Sequence, residues 1–251
     1  MNCANSIIGT QKQGRVPVIA EIKRRIPKLA GQIETDRRNA GMLAKIYEAG
    51  GAAAISVVGE PNYFGGNPEE DIPQILKAVS LPVLIKDFIL CTELVDYYAL
   101  LVSSISQYAL NRVTLLVITH MAGEKTPQLI QHIHSYGMTA LCETRNLDDL
   151  CHLRGLKDCP ALIGINNKII DQLETDDEEV GLNSSLIAKY RETVGDALII
   201  SESGHQCPAD VEQSMAAGAD AVLIGTALML ADDPATRLKE FIKAGRMAYN
   251  G

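Results

Sequence analysis

Ionisable side chains stand at the ends of several short apolar runs in this chain. Lys86 ends the run Leu-Pro-Val-Leu-Ile-Lys, and Glu143 ends the run Ala-Leu-Cys-Glu. Glu21 and Lys23 end another run, and their spacing of two residues predicts that both point to the same side of a strand. A lysine can donate a proton to a carbonyl or hydroxyl oxygen, and a neighbouring glutamate can accept one. These residues therefore indicate acid–base chemistry, with a purely structural Glu21–Lys23 ion pair as the alternative for those two.

Polar groups that could stabilise negative charge follow three other apolar runs. Asn166 ends the run Leu-Ile-Gly-Ile-Asn, and its amide could donate to an oxyanion or orient a hydroxyl. An Asx turn is the alternative, more so for the adjacent Asn167. Ser203–Gly204 and Gly225–Thr226 each place a glycine after an apolar run, where backbone N–H groups could hold a phosphate. Glycine also occurs at such turns for steric reasons alone, so that alternative stays open.

Two of the three phenylalanines follow apolar runs in the sequence, as the polar groups do. Phe64 belongs to the segment Tyr-Phe-Gly-Gly (63–66), and Phe88 follows Lys86 by two residues. The chain contains no tryptophan. Core packing explains one such aromatic more easily than both, so the pair indicates a flat surface that binds a ring.

Eight short, β-branched apolar runs must position these groups. Runs of four to six apolar residues without alternation are typical of parallel strands covered on both faces. The predicted strands are 17–22, 53–58, 82–86, 113–118, 138–142, 161–165, 197–201 and 220–224. The predicted helices lie near 36–50, 69–79, 91–108, 126–136, 146–154, 183–193, 208–217 and 233–246. Eight strands, each followed by a helix, predict an α/β protein of the (β/α)8 TIM barrel class, in which the polar strand ends meet at one rim.

Composition limits the other function classes. The length of 251 residues and the lack of a Gly/Ser or Pro linker predict a single domain over 1–251, with 1–16 as a short lead-in. A net charge of −8 argues against a nucleic-acid surface but allows a local pocket for a small anion. We expect no membrane span and no signal peptide, hence a cytoplasmic protein. None of the six cysteines forms a C-x-x-C pair, so we expect reduced thiols and no metal.

Seven segments together resemble the indole-3-glycerol-phosphate synthase family, from about Pro17 to the C-terminus. They are Ala-Glu-Ile-Lys-Arg (20–24), Gly-Ala-Ala-Ala-Ile-Ser-Val (51–57), Tyr-Phe-Gly-Gly (63–66), Pro-Val-Leu-Ile-Lys-Asp-Phe-Ile (82–89), Gly-Met-Thr-Ala-Leu-Cys-Glu (137–143), Ile-Gly-Ile-Asn-Asn (163–167) and Ser-Glu-Ser-Gly (201–204). The resemblance implies a barrel lyase that closes an aromatic ring carbon onto a carbonyl and then loses carbon dioxide and water. It implies no metal and no organic cofactor.

The resemblance also implies roles for individual residues. Lys86 would be the principal general acid, and Glu143 would act as a base or as the proton donor in the dehydration. Glu21 and Asn166 would complete the catalytic set, and Lys23 would hold the anionic groups of the substrate. The remaining implied substrate contacts are Phe64 and Phe88 on the anthranilate ring, and Glu202, Ser203, Gly204, Gly225 and Thr226 at the indole side or the phosphate end.

Several positions depart from the family pattern. A Ser-Pro-Ser-x-Gly loop is replaced by Ile26-Pro27-Lys28-Leu29-Ala30-Gly31, and Lys168 stands where the family has an arginine that can form two parallel hydrogen bonds. The N-terminal helical extension of the family is expected to be largely missing, which could leave a patch covered by a second copy in a homodimer. A divergent cyclase that decarboxylates an unphosphorylated indolic β-keto acid, as in scytonemin-type pigment synthesis, is therefore an alternative. A non-catalytic barrel that only binds a ligand is a third hypothesis.

Overall fold

The protein forms a closed barrel of eight parallel strands in the order β1 to β8. The computed structural model describes residues 1–153, 161–167 and 184–244. The strands are β1 Val18–Ile22, β2 Ala54–Val58, β3 Val83–Lys86, β4 Val113–Ile118, β5 Thr139–Thr144, β6 Leu162–Asn166, β7 Leu198–Glu202 and β8 Ala221–Ile224. Each lies within two residues of its predicted bounds. The predicted (β/α)8 TIM barrel is therefore confirmed.

Helices surround the barrel and occupy most of the predicted stretches. They are α1 Cys3–Lys12, α2 Ala40–Gly50, α3 Pro68–Ala78, α4 Thr92–Ile105, α5 Thr119–Ala122, α6 Thr126–Ser135, α7 Ser184–Val194, α8 Pro208–Ala217, α9 Thr226–Met229 and α10 Pro234–Ala244. The helix predicted over 36–50 begins later, because Asn39 caps it by accepting a hydrogen bond from the Met42 N–H at 2.9 Å. Of the helix predicted over 146–154, the described residues 146–153 contain a 3-10 helix, Asp148–Leu153, in place of an α-helix, and residue 154 lies outside the described residues.

Within the barrel, four strands repeat one two-step pattern towards their carboxyl ends. An apolar layer of fully buried side chains comes first and consists of Ile19, Leu84, Leu141 and Ile200. A charged layer follows two residues later on the same strands and consists of Glu21, Lys86, Glu143 and Glu202. Because side chains two apart on a strand share a face, the strands that bury the apolar layer also aim the charged layer into the barrel.

The other end of the barrel is covered by α1. Cys3 and Ile7 are fully buried and belong to the same apolar cluster as Ile19 and Leu84. The Ser6 hydroxyl donates to the Ala53 carbonyl at 2.5 Å, and Ala53 directly precedes β2. Residues 1–16 are therefore more than the predicted lead-in, because ten of them form a helix that closes the amino end of the barrel.

Among residues 1–153, 161–167 and 184–244, none of the helices has the length and apolar character needed to span a membrane.

Candidate active site

The ammonium of Lys86 lies among three carboxylates at the carboxyl end of the barrel. Its Nζ is 2.8 Å from Glu202 Oε2, 3.7 Å from Glu21 Oε2 and 3.8 Å from Glu143 Oε2. The three glutamates are almost completely buried, whereas Lys86 keeps 11% of its side chain exposed. Opposite charges in such a poorly solvated space attract strongly, so the layer holds its lysine in place and open to a ligand.

A second cation lies beside the charged layer. Lys23 Nζ is 3.0 Å from Glu21 Oε1, and both side chains are buried. Glycine at 225 leaves room for this pair, since a Cβ there would collide with the Glu21 carboxylate and approach Lys23 Cε to 3.1 Å. Glu21 thus lies between the two lysines, and all three side chains line the same cavity.

Glycine also makes room for Glu202. A Cβ at Gly164 would overlap Glu202 Oε1 and lie 3.0 Å from Leu141 Cδ2. Gly164 and Asn166 are two residues apart on β6 and therefore point to the same face of the strand. Asn166 is buried and pairs in register with Glu202 on β7. The structure therefore brings Glu202 to Lys86, with Asn166 beside Glu202 on the neighbouring strand, and Glu202 is nearer to the lysine than Glu143 is.

A narrow apolar cleft opens beside Lys86. Phe64 and Phe88 line it together with Leu116 and Ile118. Lys23 Nζ lies 5.8 Å from the centre of the Phe64 ring, within the range of a cation–π contact. A planar apolar group held here would therefore lie between the aromatic rings and the ammonium groups.

Glu60 fixes the loop that carries Phe64. Its buried carboxylate accepts hydrogen bonds from the backbone N–H groups of Asn62, Tyr63 and Phe64 at 2.7, 2.8 and 3.0 Å. The N–H of Arg25 donates to the Phe64 carbonyl at 2.9 Å, which ties this loop to the end of β1. Sequence reasoning did not identify Glu60, because a carboxylate that bonds its own turn has no distinctive spacing.

Asp87 supports the second aromatic side chain. It accepts hydrogen bonds from the Tyr98 hydroxyl at 2.5 Å and from the Phe88 N–H at 2.7 Å. Burial raises the pKa of the Asp87 carboxyl, and the hydrogen bonds from Tyr98 and Phe88 oppose that change. Burial and the nearby Asp87 charge also raise the pKa of Tyr98, which keeps its hydroxyl protonated as the donor. Tyr98 comes from α4, a contact that local sequence does not reveal.

A larger cavity of about 560 Å³ adjoins the charged layer on its other side. The predicted Ser203–Gly204 and Gly225–Thr226 pairs line it, as do Lys28 and Arg237. Its volume lies within the range of small-molecule sites. Lys28 was noted in the sequence only as a departure from the family pattern, and Arg237, on α10, was not identified at all.

The backbone of this cavity is unusual at Ser203. Among the described residues, Ser203 is the one non-glycine residue with a positive φ, at 65°, and Gly204 follows at 81°. A left-handed conformation costs a non-glycine residue about 1–2 kcal/mol. Asn167 compensates by donating from Nδ2 to the Glu202 carbonyl at 2.9 Å and the Ser203 carbonyl at 3.1 Å. Asn167 thus supports the loop, and Lys168 lies outside the described residues.

The described residues include free thiols but no group of side chains arranged to bind a metal ion. Cys3, Cys91, Cys142, Cys151 and Cys207 are free thiols, while Cys159 lies outside the described residues. Burial raises the pKa of Cys3 to about 12, so that thiol is protonated beneath the barrel. Within the described ranges, His, Cys, Asp and Glu side chains do not cluster in a way that would hold a metal ion.

A barrel that holds a lysine among three buried glutamates at its carboxyl end, beside a cavity large enough for a small molecule, is typical of enzymes that apply acid–base catalysis to small molecules. Comparison with known proteins identifies the family within this class of enzymes. The family model described as "Indole-3-glycerol phosphate synthase" matches residues 4–241. The chain belongs to the indole-3-glycerol phosphate synthase family, and it is accordingly a carbon–carbon lyase of the carboxy-lyase type.

Curated relatives cover most of the chain. An indole-3-glycerol phosphate synthase of Methanopyrus kandleri is 36% identical over 233 residues, which cover 92% of this chain and 84% of the relative. Another from Pyrococcus furiosus is 34% identical over 234 residues, covering 93% of this chain and 95% of the relative. A third from Kineococcus radiotolerans is 36% identical and covers 93% of this chain and 78% of the relative.

Solved structures of low sequence identity share the fold. One, described as a structural study of a project from Aquifex aeolicus VF5, has a TM-score of 0.67 at 10% identity and covers 97% of this chain and 99% of that one. Another, a designed cube-shaped and highly porous protein cage, has a TM-score of 0.61 at 18% identity, with 94% of this chain and 74% of that chain covered. At these identities the likeness concerns the barrel alone.

Proposed function

We propose that this protein converts the carboxyphenylamino-deoxyribulose phosphate into indole-3-glycerol phosphate, with release of carbon dioxide and water. One observation carries the proposal more than any other: a lysine among three buried glutamates lies between an aromatic cleft and a cavity of about 560 Å³. The substrate has an anthranilate ring at one end and a phosphate at the other. Its reacting carbonyl would then lie beside Lys86.

Lys86 is the proposed general acid for ring closure. The ring carbon that bears the carboxylate forms a bond to the carbonyl carbon, and the carbonyl oxygen takes a proton from the Lys86 ammonium to become a hydroxyl. The carboxylate then leaves as carbon dioxide, and the electrons of the broken bond return to the ring. The close approach of Glu202 and Glu21 to Nζ supports this role, because both carboxylates stabilise the charged donor before the transfer.

Glu143 is the proposed partner in the dehydration. The new hydroxyl must leave as water after gaining a proton, and a base must remove a proton from the adjacent carbon to form the second ring double bond. Glu143 lies 3.8 Å from Lys86 Nζ, so one group can donate while the other accepts. Glu21, which contacts both Lys86 and Lys23, would complete the acid–base set, and Asn166 would orient the hydroxyl.

The two ends of the substrate would be bound by separate groups. Phe64 and Phe88 would contact the ring, and Lys23 would hold an anionic group of the substrate. The phosphate would lie against the N–H groups of Ser203–Gly204 and Gly225–Thr226, with Lys28 and Arg237 nearby as additional cations. Lys168, the replacement for the family arginine, would contribute a point charge in place of a fork.

The direct test is turnover by the purified protein. Incubation with the carboxyphenylamino-deoxyribulose phosphate should raise indole fluorescence and release one carbon dioxide for each indole formed. A folded preparation that leaves the substrate unchanged would overturn the proposal. Addition of inorganic phosphate should inhibit competitively, because it would occupy the end of the site that holds the phosphate group.

The cyclase for an unphosphorylated indolic keto acid receives no support from the comparisons, since the relatives described above are all named for the phosphorylated product. A binding module without catalysis is disfavoured by membership of an enzyme family. The single domain over 1–251, the cytoplasmic location, the homodimer and the lack of a nucleic-acid partner stay predictions. Light scattering of the purified chain would test the homodimer directly.

A further inference from the structure

A buried polar cluster lies behind the proposed phosphate loop, on the side of β7 that faces α8. Ser201 Oγ is 3.1 Å from Ser214 Oγ and 3.2 Å from His205 Nε2, and His205 Nε2 is 2.9 Å from Ser214 Oγ. Ser201 and Ser214 are fully buried, and His205 is 5% exposed. Asn167 joins the cluster by donating to Ser201 Oγ at 3.3 Å. We call these four residues the β7 cluster.

The β7 cluster surrounds the strained backbone of the loop. Ser201 precedes Ser203 by two residues, His205 follows it by two, and Asn167 bonds to its carbonyl. The loop is therefore held before and after the left-handed Ser203, while Ser214 anchors both sides to α8. Such a conformation persists only where its surroundings determine it.

The cluster carries no charge near neutral pH. Burial lowers the pKa of His205 to about 4, so the ring is neutral and can both donate and accept hydrogen bonds. A neutral ring adds no net charge to the cavity, which His205 itself borders. Because His205 Nε2 is engaged with Ser201 and Ser214, we expect its effect on anion binding to act through the shape of the loop.

We propose that His205 is a positioning residue, which acts with Ser201, Ser214 and Asn167 to hold the Ser203–Gly204 backbone in the shape that binds the phosphate group of the substrate. The inference rests on the proposed function for the identity of that ligand. It assigns the anion affinity of the loop to a hydrogen-bonded support on the outer side of β7. Because Ser201 points to the face of β7 opposite to Glu202, which contacts Lys86, the cluster should affect substrate affinity and leave the chemical step unchanged.

The test compares two replacements of His205. His205→Leu fills similar space but leaves the Ser201 and Ser214 hydroxyls without their ring partner, whereas His205→Gln can place an amide nitrogen near the position of Nε2. His205→Leu should raise the dissociation constant for inorganic phosphate, measured by calorimetry, about tenfold. The KM should rise by a similar factor with kcat within about twofold. His205→Gln should restore most of both affinities.

A matched control separates positioning from general stability. Ser214→Ala and Ser6→Ala each remove one buried serine hydroxyl, the first from the β7 cluster and the second from α1 at the far end of the barrel. Both should lower the melting temperature, but only Ser214→Ala should weaken phosphate binding. Ser214→Ala also keeps the proposal testable if His205→Leu does not fold.

Each outcome bears on one proposal or the other. If His205→Leu and Ser214→Ala melt earlier but bind phosphate as the parent does, the cluster is only structural and the inference is wrong. A parent that forms indole yet binds no inorganic phosphate also overturns it, while the proposed function survives. Phosphate binding that depends on His205 in a protein that forms no indole would instead support the inference and remove the proposed substrate.

Discussion

Four strands bury Ile19, Leu84, Leu141 and Ile200 on the side of α1, and two residues further along they aim the four side chains of the charged layer into the barrel. The strands and their parallel pairing are the same for both layers, and the three glutamates are nearly as buried as the apolar side chains, whereas Lys86 keeps 11% of its side chain exposed. The apolar layer needs no partners, whereas every member of the charged layer depends on its neighbours for compensation. The same scaffold thus separates a region that stabilises the fold from a region that can do chemistry.

The largest contrast is expected from replacing Lys86. Lys86→Met should lower kcat about 1,000-fold or more, because the proposed proton donor is lost. The loss would be measured by indole fluorescence under saturating substrate. Lys86→Arg keeps a positive charge among the carboxylates and should preserve the fold, as judged by circular dichroism, while activity still falls at least about 100-fold. Activity close to that of the parent in either variant would contradict the role of Lys86.

Replacing the apolar residue two positions before Lys86 should lower stability and leave catalysis largely unchanged. Leu84 is fully buried in the apolar layer, and Leu84→Ala should lower the free energy of unfolding by about 2–5 kcal/mol. Denaturant titration measures this loss. At a temperature where the variant is folded, its kcat should stay within about threefold of the parent. A large fall in kcat with unchanged stability would show that the two layers do not divide these tasks.

Acid should weaken the carboxyl end through His205. Its pKa falls from 6.5 to about 4 on folding, so the unfolded chain takes up a proton at a higher pH than the folded one does. This stability is present above pH 6.5 and is lost as the pH falls from about 6.5 to about 4, up to about 3 kcal/mol. Unfolding titrations across this range should show a smaller loss in His205→Gln. Identical pH profiles for parent and variant would rule out His205 as the cause.

A methyl group tests how closely the charged layer is packed. Gly164→Ala would push the Glu202 carboxylate away from Lys86, and kcat/KM should fall about tenfold. The matched control is Gly9→Ala in α1, where an added Cβ meets no atom within 4 Å. Since alanine favours a helix, that variant should be more stable by up to about 1 kcal/mol and fully active. Equal activity in both variants would show that the charged layer tolerates displacement.

The sequence predicted the strands and their polar ends, because unalternated apolar runs and the charges that follow them are local patterns. It did not predict α1. The buried side of that helix includes Ser6 and Thr10 as well as Cys3 and Ile7, so its apolar periodicity is weak. The Ser6 hydroxyl is satisfied by Ala53, a contact across 47 residues that no local pattern contains.

The residues that hold the site side chains in place were equally hard to predict from local sequence. Glu202 was expected near the indole or the phosphate, and its short contact with Lys86 depends on space left by Gly164 on the neighbouring strand. Tyr98 and His205 act through partners on other elements, and Glu60 acts through its own turn, where a carboxylate has no distinctive spacing. Sequence pattern and the family resemblance identified most of the groups proposed to touch the substrate, with Arg237 as an exception, while the groups that hold them could be found only from the packed structure.

The position of α1 at the amino end of the barrel affects how substrate and products reach and leave the site. Among the described residues, α1 and the apolar layer fill the amino end of the barrel, so we expect substrate and products to pass through the carboxyl rim above Lys86. Carbon dioxide, water and the finished indole must all depart by the route along which the substrate arrived. A new substrate molecule therefore cannot bind until the indole product has left through this rim.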